Sequence, residues 1–138
     1  MKDFDLKVCD IQGRLFELSV KNGYDSKKFI ESFMNSETAK QLDSDYNFLQ
    51  WAGEEYILDQ LTDEKEIIQN GNTYDLNTIY WMGYIYRYWH YHYNETSKEI
   101  YKQANAEAMK RNYLIFHTFD PIVAIEDLKE IHQQAKKK

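Results

Sequence analysis

Apolar positions in this chain recur at spacings of three and four and seldom alternate, which is the pattern of helices packed on one side. Phe4, Val8, Ile11, Leu15 and Leu18 mark one face of a helix over residues 3–22, and Asn22-Gly23 supplies a left-handed stop. Asp25 or Ser26 can cap a short second helix carrying Phe29, Ile30, Phe33 and Met34. Ser36 can cap a third with Ala39 and Leu42, and Asp43 to Asp45 is a polar break. From about Tyr46 to Ile68 the pattern predicts one longer helix, in which Phe48, Leu49, Ala52 and Tyr56 share a face that Gly53, Ile57 and Leu61 extend. Asn70-Gly71-Asn72 is a turn, and Asp75 or Asn77 caps a helix running to about Tyr93. Thr96 followed by Glu99 has the form of a capping box, so a helix starts there. It carries Ile100, Tyr101, Ala104, Ala108 and Ile115 on its inner side and bends near Asn105. Asp120-Pro121 opens a last helix bearing Ile122, Ile125, Leu128 and Ile131. These elements predict an all-α protein: a compact single domain over residues 1–135, built as a bundle of five to seven helices, with a disordered lysine tail at 136–138.

Composition narrows the setting. A chain of 138 residues can bury a core without metal or disulfide support, and its five glycines and single proline leave few breaks. Cys9 has no cysteine to pair with, and no N-terminal apolar run resembles a secretion signal, so a cytoplasmic location is expected. No run approaches the roughly 20 apolar residues of a membrane span. The net charge of −6 disfavours nucleic acid and suits a protein partner.

The stretch 79–93, IYWMGYIYRYWHYHY, holds eight Tyr or Trp residues, two His and one Arg. Apolar nearly all round, it predicts the central helix of the bundle. Its many hydroxyls and indoles also fit a partner surface, because Tyr, Trp and Arg are the residues enriched at binding hot spots. Gly83 is tolerated in such a helix where another backbone or ring comes close. Arg87 needs a carboxylate, and Glu54 and Glu55 are the expected partners because both lie beside Trp51, Leu58 and Leu61 on their own helix. With His90 they could form a polar pocket. The residues expected to bind a partner are therefore Trp51, Glu54, Glu55, Tyr84, Arg87, Tyr88, Trp89 and His90. No cofactor or metal is expected. His90 and His92 are two apart with no third ligand nearby, Gly13 is isolated, and Cys9 reads as packing.

Two resemblances add to this reading. Arg87 and His92, separated by four residues, resemble the motif of the HEPN ribonucleases, small all-α proteins in which such an Arg and His cleave RNA without metal. The resemblance implies Arg87 and His92 as catalytic residues. This sequence departs from the toxin version of the motif, with Asn94 where a Tyr often follows, and the two side chains diverge on a regular helix. The stretches LKVCDIQGRLFELSVKNGYDSKKFIESFMNSETAKQLDS, YNFLQWAGEEYIL, YWMGYIYRYWHYHYNETSKEIYKQA and MKRNYLIFHTFDPIVAIEDL resemble a small bacterial family encoded near ADP-ribosyltransferase-like toxin genes. That resemblance implies a toxin–antitoxin setting, in which the chain is an antitoxin or accessory that binds a partner toxin directly. A third reading, a structural or regulatory subunit whose aromatic helix is simply core, stays open.

Overall fold

Two glycines let two long helices lie against each other at the centre of the molecule. In the computed structural model, which describes residues 1–45 and 47–137, α1 (Asp3–Lys21) packs along α6 (Leu76–Tyr93). A Cβ on Gly83 of α6 would stand 2.6 Å from the main-chain oxygen of Gln12 and 2.9 Å from the ring of Phe16. A Cβ on Gly13 of α1 would stand 2.6 Å from the ring of Tyr80. Each glycine gives up about 1 kcal/mol of helix propensity and in return admits a close neighbour. The Gln12 side chain uses the proximity, donating from Nε2 to the Gly83 carbonyl at 2.9 Å.

The remaining described helices wrap this pair. They are α2 (Ser26–Met34), α3 (Glu37–Asp43), α4 (Leu49–Ala52), α5 (Glu54–Glu64), α7 (Ser97–Gln103), α8 (Ala106–Phe116) and α9 (Pro121–Lys136). The all-helical class holds, but nine helices stand among the described residues where the pattern predicts five to seven. Two long expected helices are cut. Gly53 adopts φ +85°, so the expected helix over 46–68 becomes α4 and α5, and Tyr46 lies outside the described residues. The helix expected from Thr96 ends at Gln103, and a new one begins where the Asn105 side chain accepts from the Ala108 N–H. Ile115, expected inside, is 64% exposed as a result of that restart. Ile131 is also exposed. Of the three tail lysines, Lys136 is helical, Lys137 is the C-cap of α9, and Lys138 lies outside the described residues.

Four predicted caps form: Asp25 accepts from the Lys28 N–H, Ser36 from Ala39, Thr96 from Glu99 and Asp120 from Ile122. At α6, Asp75 takes the N-cap position but its side chain makes no capping hydrogen bond, and Asn94, not anticipated in that role, closes the helix in the left-handed conformation. Asp25 also accepts from the Asn72 N–H, pinning the 70–72 turn to the start of α2. One continuous apolar cluster fills the interior. Phe16 meets Phe29, Phe33 and Tyr86 edge-on with ring centroids 5.4, 5.6 and 6.2 Å away. From α6 come Ile79, Met82, Ile85, Tyr86 and Trp89, so the aromatic helix is central.

Candidate functional site

The face of α6 that meets α1 carries Gly83, Arg87 and His90, and it is sealed. Arg87 donates from Nη1 to Asp43 Oδ1 at 2.7 Å and from Nε to Gln12 Oε1 at 2.8 Å, and its Nη2 stands 3.4 Å from Ser97 Oγ. Asp43 accepts further from the Ser97 N–H and hydroxyl, each at 2.8 Å. Glu54 and Glu55 are therefore not the partners of Arg87. The carboxylate comes from the last residue of α3, because α3 and α7 converge on this side of α6 while α5 packs against α1. The ion pair ties α1, α3, α6 and the start of α7 together through one guanidinium. A guanidinium this buried is tolerable only because Asp43, Gln12 and Ser97 engage all three of its nitrogens.

His90 belongs to the same cluster. Its Nδ1 lies 2.6 Å from the Glu95 carbonyl and 3.7 Å from Asp43 Oδ1. A carbonyl only accepts, so that contact places a proton on Nδ1. Burial, helped by the Arg87 charge, lowers the His90 pKa and outweighs the opposing Glu95 carbonyl and Asp43 carboxylate. The imidazole is neutral at pH 7.

Trp89 is 0% exposed. Its indole N–H donates to Glu95 at 3.0 Å, and Lys129 reaches the same carboxylate at 2.6 Å while lying over the Trp89 and Tyr93 rings. Burial pushes the Glu95 carboxyl up, but hydrogen bonds from Lys129, Gln103 and Trp89 together hold it below the usual carboxylate range. Expected as a partner anchor, Trp89 is instead a core residue locking α9 onto α6. Arg87 and His90 likewise offer no surface to a partner.

The open part of α6 is a tyrosine ladder. Tyr80, Tyr84, Tyr88 and His92 follow one another turn by turn, with ring centroids 6.1, 6.3 and 6.5 Å apart. The three tyrosines are half-buried and His92 is exposed. At one end Tyr80 lies across Gly13 and donates to Asp10 at 2.5 Å. Asp10 also pairs with Arg14, which approaches Glu54 at 3.9 Å. On the other side, Tyr80, Trp81, Tyr84 and Ile85 face His117, Phe119 and Pro121 across a shallow cleft of about 300 Å³. Burial raises the phenol pKa values of Tyr84 and Tyr88, so both hydroxyls are neutral donors at pH 7.

The expected site residues thus divide into three. Tyr84 and Tyr88 share the ladder. Arg87, Trp89 and His90 are interior. Trp51 is 61% exposed in another corner, packed on Phe4, while Glu54 is partly covered beside Arg14 and Glu55 is exposed. Arg87 and His92 do not come together: the guanidinium is enclosed, and the His92 ring sits against Tyr88 and Tyr93 on the outside. Cys9 is buried, which pushes its thiol up to about 12 and leaves it protonated. Among the described residues no group of three His, Cys, Asp or Glu side chains is placed to hold a metal, and no helix is long and apolar enough to cross a membrane. The sequence reading missed Asp43, Gln12 and Ser97. Gln12 lies on the apolar face of α1, at the turn between Val8 and Phe16, and a polar residue so placed signals a buried hydrogen bond.

The fold and these surfaces define an all-α helical bundle with a sealed ionic centre and an open aromatic face. No protein-family model, no curated protein and no solved structure matches the chain.

Proposed function

We propose that this protein is a protein-binding module, an antitoxin or accessory that neutralises a partner toxin by direct contact through the tyrosine face of α6. The observation that carries the binding reading is the ladder of Tyr80, Tyr84 and Tyr88 beside the cleft with His117 and Phe119. Half-buried tyrosines held by their neighbours present large amphipathic surfaces at little entropic cost, as hot-spot residues do. The toxin as partner, of ADP-ribosyltransferase-like type, rests on the family resemblance of the sequence. Within this reading the anchors are Tyr84 and Tyr88 and not Trp89, whose ring is enclosed.

The test is co-expression with such a toxin. Wild-type protein restores growth and co-purifies with the toxin. The double variant Tyr84→Ala, Tyr88→Ala keeps its melting temperature within a few degrees but no longer protects. Full protection by a folded double variant removes this face from the contact.

A further inference from the structure

The corner where α1 begins and α4 lies carries a second concave site, apart from the tyrosine face. A cavity of about 170 Å³ is walled by the rings of Phe4, Trp51 and Tyr91, by Asp5 and Asp45, and by Lys2 and Gln50. Trp51 and Phe4 lie 5.2 Å apart at 34°, which leaves most of the indole open. Gln50 is a fixed wall, since its amide already donates to the carbonyls of Leu42 and Ser44. The Tyr91 hydroxyl is shielded from solvent and has no hydrogen-bond partner among the described residues. Among the described residues Asp45 makes no ion pair, and Asp5 accepts only the Lys2 main-chain N–H, at 3.3 Å. Burial pushes the Tyr91 phenol up to about 12, so its oxygen is a neutral acceptor and donor at physiological pH.

Aromatic faces beside carboxylates recognise organic cations. An apolar guest would desolvate Asp5 and Asp45 without return, and an anion would be repelled by them. A guanidinium fits the open indole and the two carboxylates together. Its plane stacks on the indole while its several N–H donors turn toward Asp5 and Asp45, which a lysine ammonium cannot do while stacking. Two carboxylates against the single ammonium of Lys2 leave the site net negative, which disfavours the α-carboxylate of a free amino acid. We propose that this corner is a receptor for an arginine side chain presented by the polypeptide of another protein, with Trp51 as the stacking face and Asp5 and Asp45 as the charge partners.

The probe is Nα-acetyl-L-arginine amide, titrated into the full chain and followed by NMR at the Trp51 indole N–H and the Tyr91 ring. Saturable shifts at both are expected, with none from the neutral citrulline analogue and weaker ones from capped lysine. Asp45→Asn weakens binding roughly tenfold, on the scale of a desolvated cation site. Lys2→Ala tightens it by removing the competing ammonium. Trp51→Ala abolishes the Tyr91 shifts, and should that variant unfold, Asp45→Asn alone decides. The proposal is overturned by absence of saturable shifts, by equal shifts with the citrulline analogue, by unchanged affinity in Asp45→Asn, or by free arginine binding more tightly than the capped form. None of these outcomes depends on Tyr84 or Tyr88, so the proposed protein-binding face stands or falls separately.

Discussion

Arg87 Nη1 stands 2.7 Å from Asp43 Oδ1, with the arginine side chain wholly buried and the aspartate 8% exposed. The two residues stand 44 positions apart in the chain, and the pair joins α3 to α6 beneath the aromatic surface of α6. Its weight in the fold lies less in the attraction itself than in the charge left stranded when one member is lost.

Asp43→Ala leaves a guanidinium enclosed without a counter-charge. The expected loss is about 3–5 kcal/mol, read as a drop in the urea midpoint at pH 7. The double variant Asp43→Leu, Arg87→Met recovers much of that stability, because it removes the uncompensated charge as well. A small effect of Asp43→Ala would show that water or another carboxylate reaches Arg87.

Gly83→Ala tests the crossing of α1 and α6. Alanine regains about 1 kcal/mol of helix propensity. Its methyl, however, meets the Gln12 carbonyl oxygen at 2.6 Å, a backbone atom that cannot swing aside. Overpacking of this kind costs about 1–3 kcal/mol, and the lost approach also strains the Gln12 amide contact. A lower melting temperature is expected by calorimetry, whereas an unchanged or higher one would mean that the helices separate freely.

Trp89→Ala is expected to destabilise the protein by about 3–5 kcal/mol, the range for a large buried aromatic. Circular dichroism during thermal unfolding measures it. Tyr88→Ala, on the half-exposed ladder, should cost much less. The contrast separates the interior side of α6 from its outer side, and equal losses would contradict it.

Stability should also depend on pH through His90. Its pKa is lowered in the fold, so the neutral ring is favoured there and the unfolded chain takes up the proton first. The stability that this contributes is fully present above the unfolded histidine pKa of about 6.5 and is lost as pH falls through the lower folded value. The facing charges are Arg87, Asp43 and Asp45, and of these Arg87 opposes a second positive charge. Urea midpoints from pH 7.5 to 5 should fall in the wild type and fall less in His90→Gln. Parallel slopes would remove His90 as the source. The lowered Glu95 carboxyl contributes in the same direction, but only further into acid, below the usual carboxylate pKa.

Local chemistry made the helical class, the caps and the central helix legible. Ser36, Asp25, Thr96 and Asp120 act on backbone N–H groups two or three residues away, so their effect is written within a few positions. The apolar surround of residues 79–93 marks the helix with most neighbours, and Gly83 marks a close approach. Tertiary structure decided the rest. Nothing near Asp43 in the chain announces that it will meet Arg87, because that contact depends on α3 and α7 closing over one side of α6 while α5 takes the other side of α1. Gly53 could have continued a helix, and only the folded structure shows the positive φ that splits α4 from α5. Tyr88 and Trp89 are neighbours of similar character, yet one turns outward and the other inward, since successive helical residues point about 100° apart and only the packed bundle defines which direction is the interior.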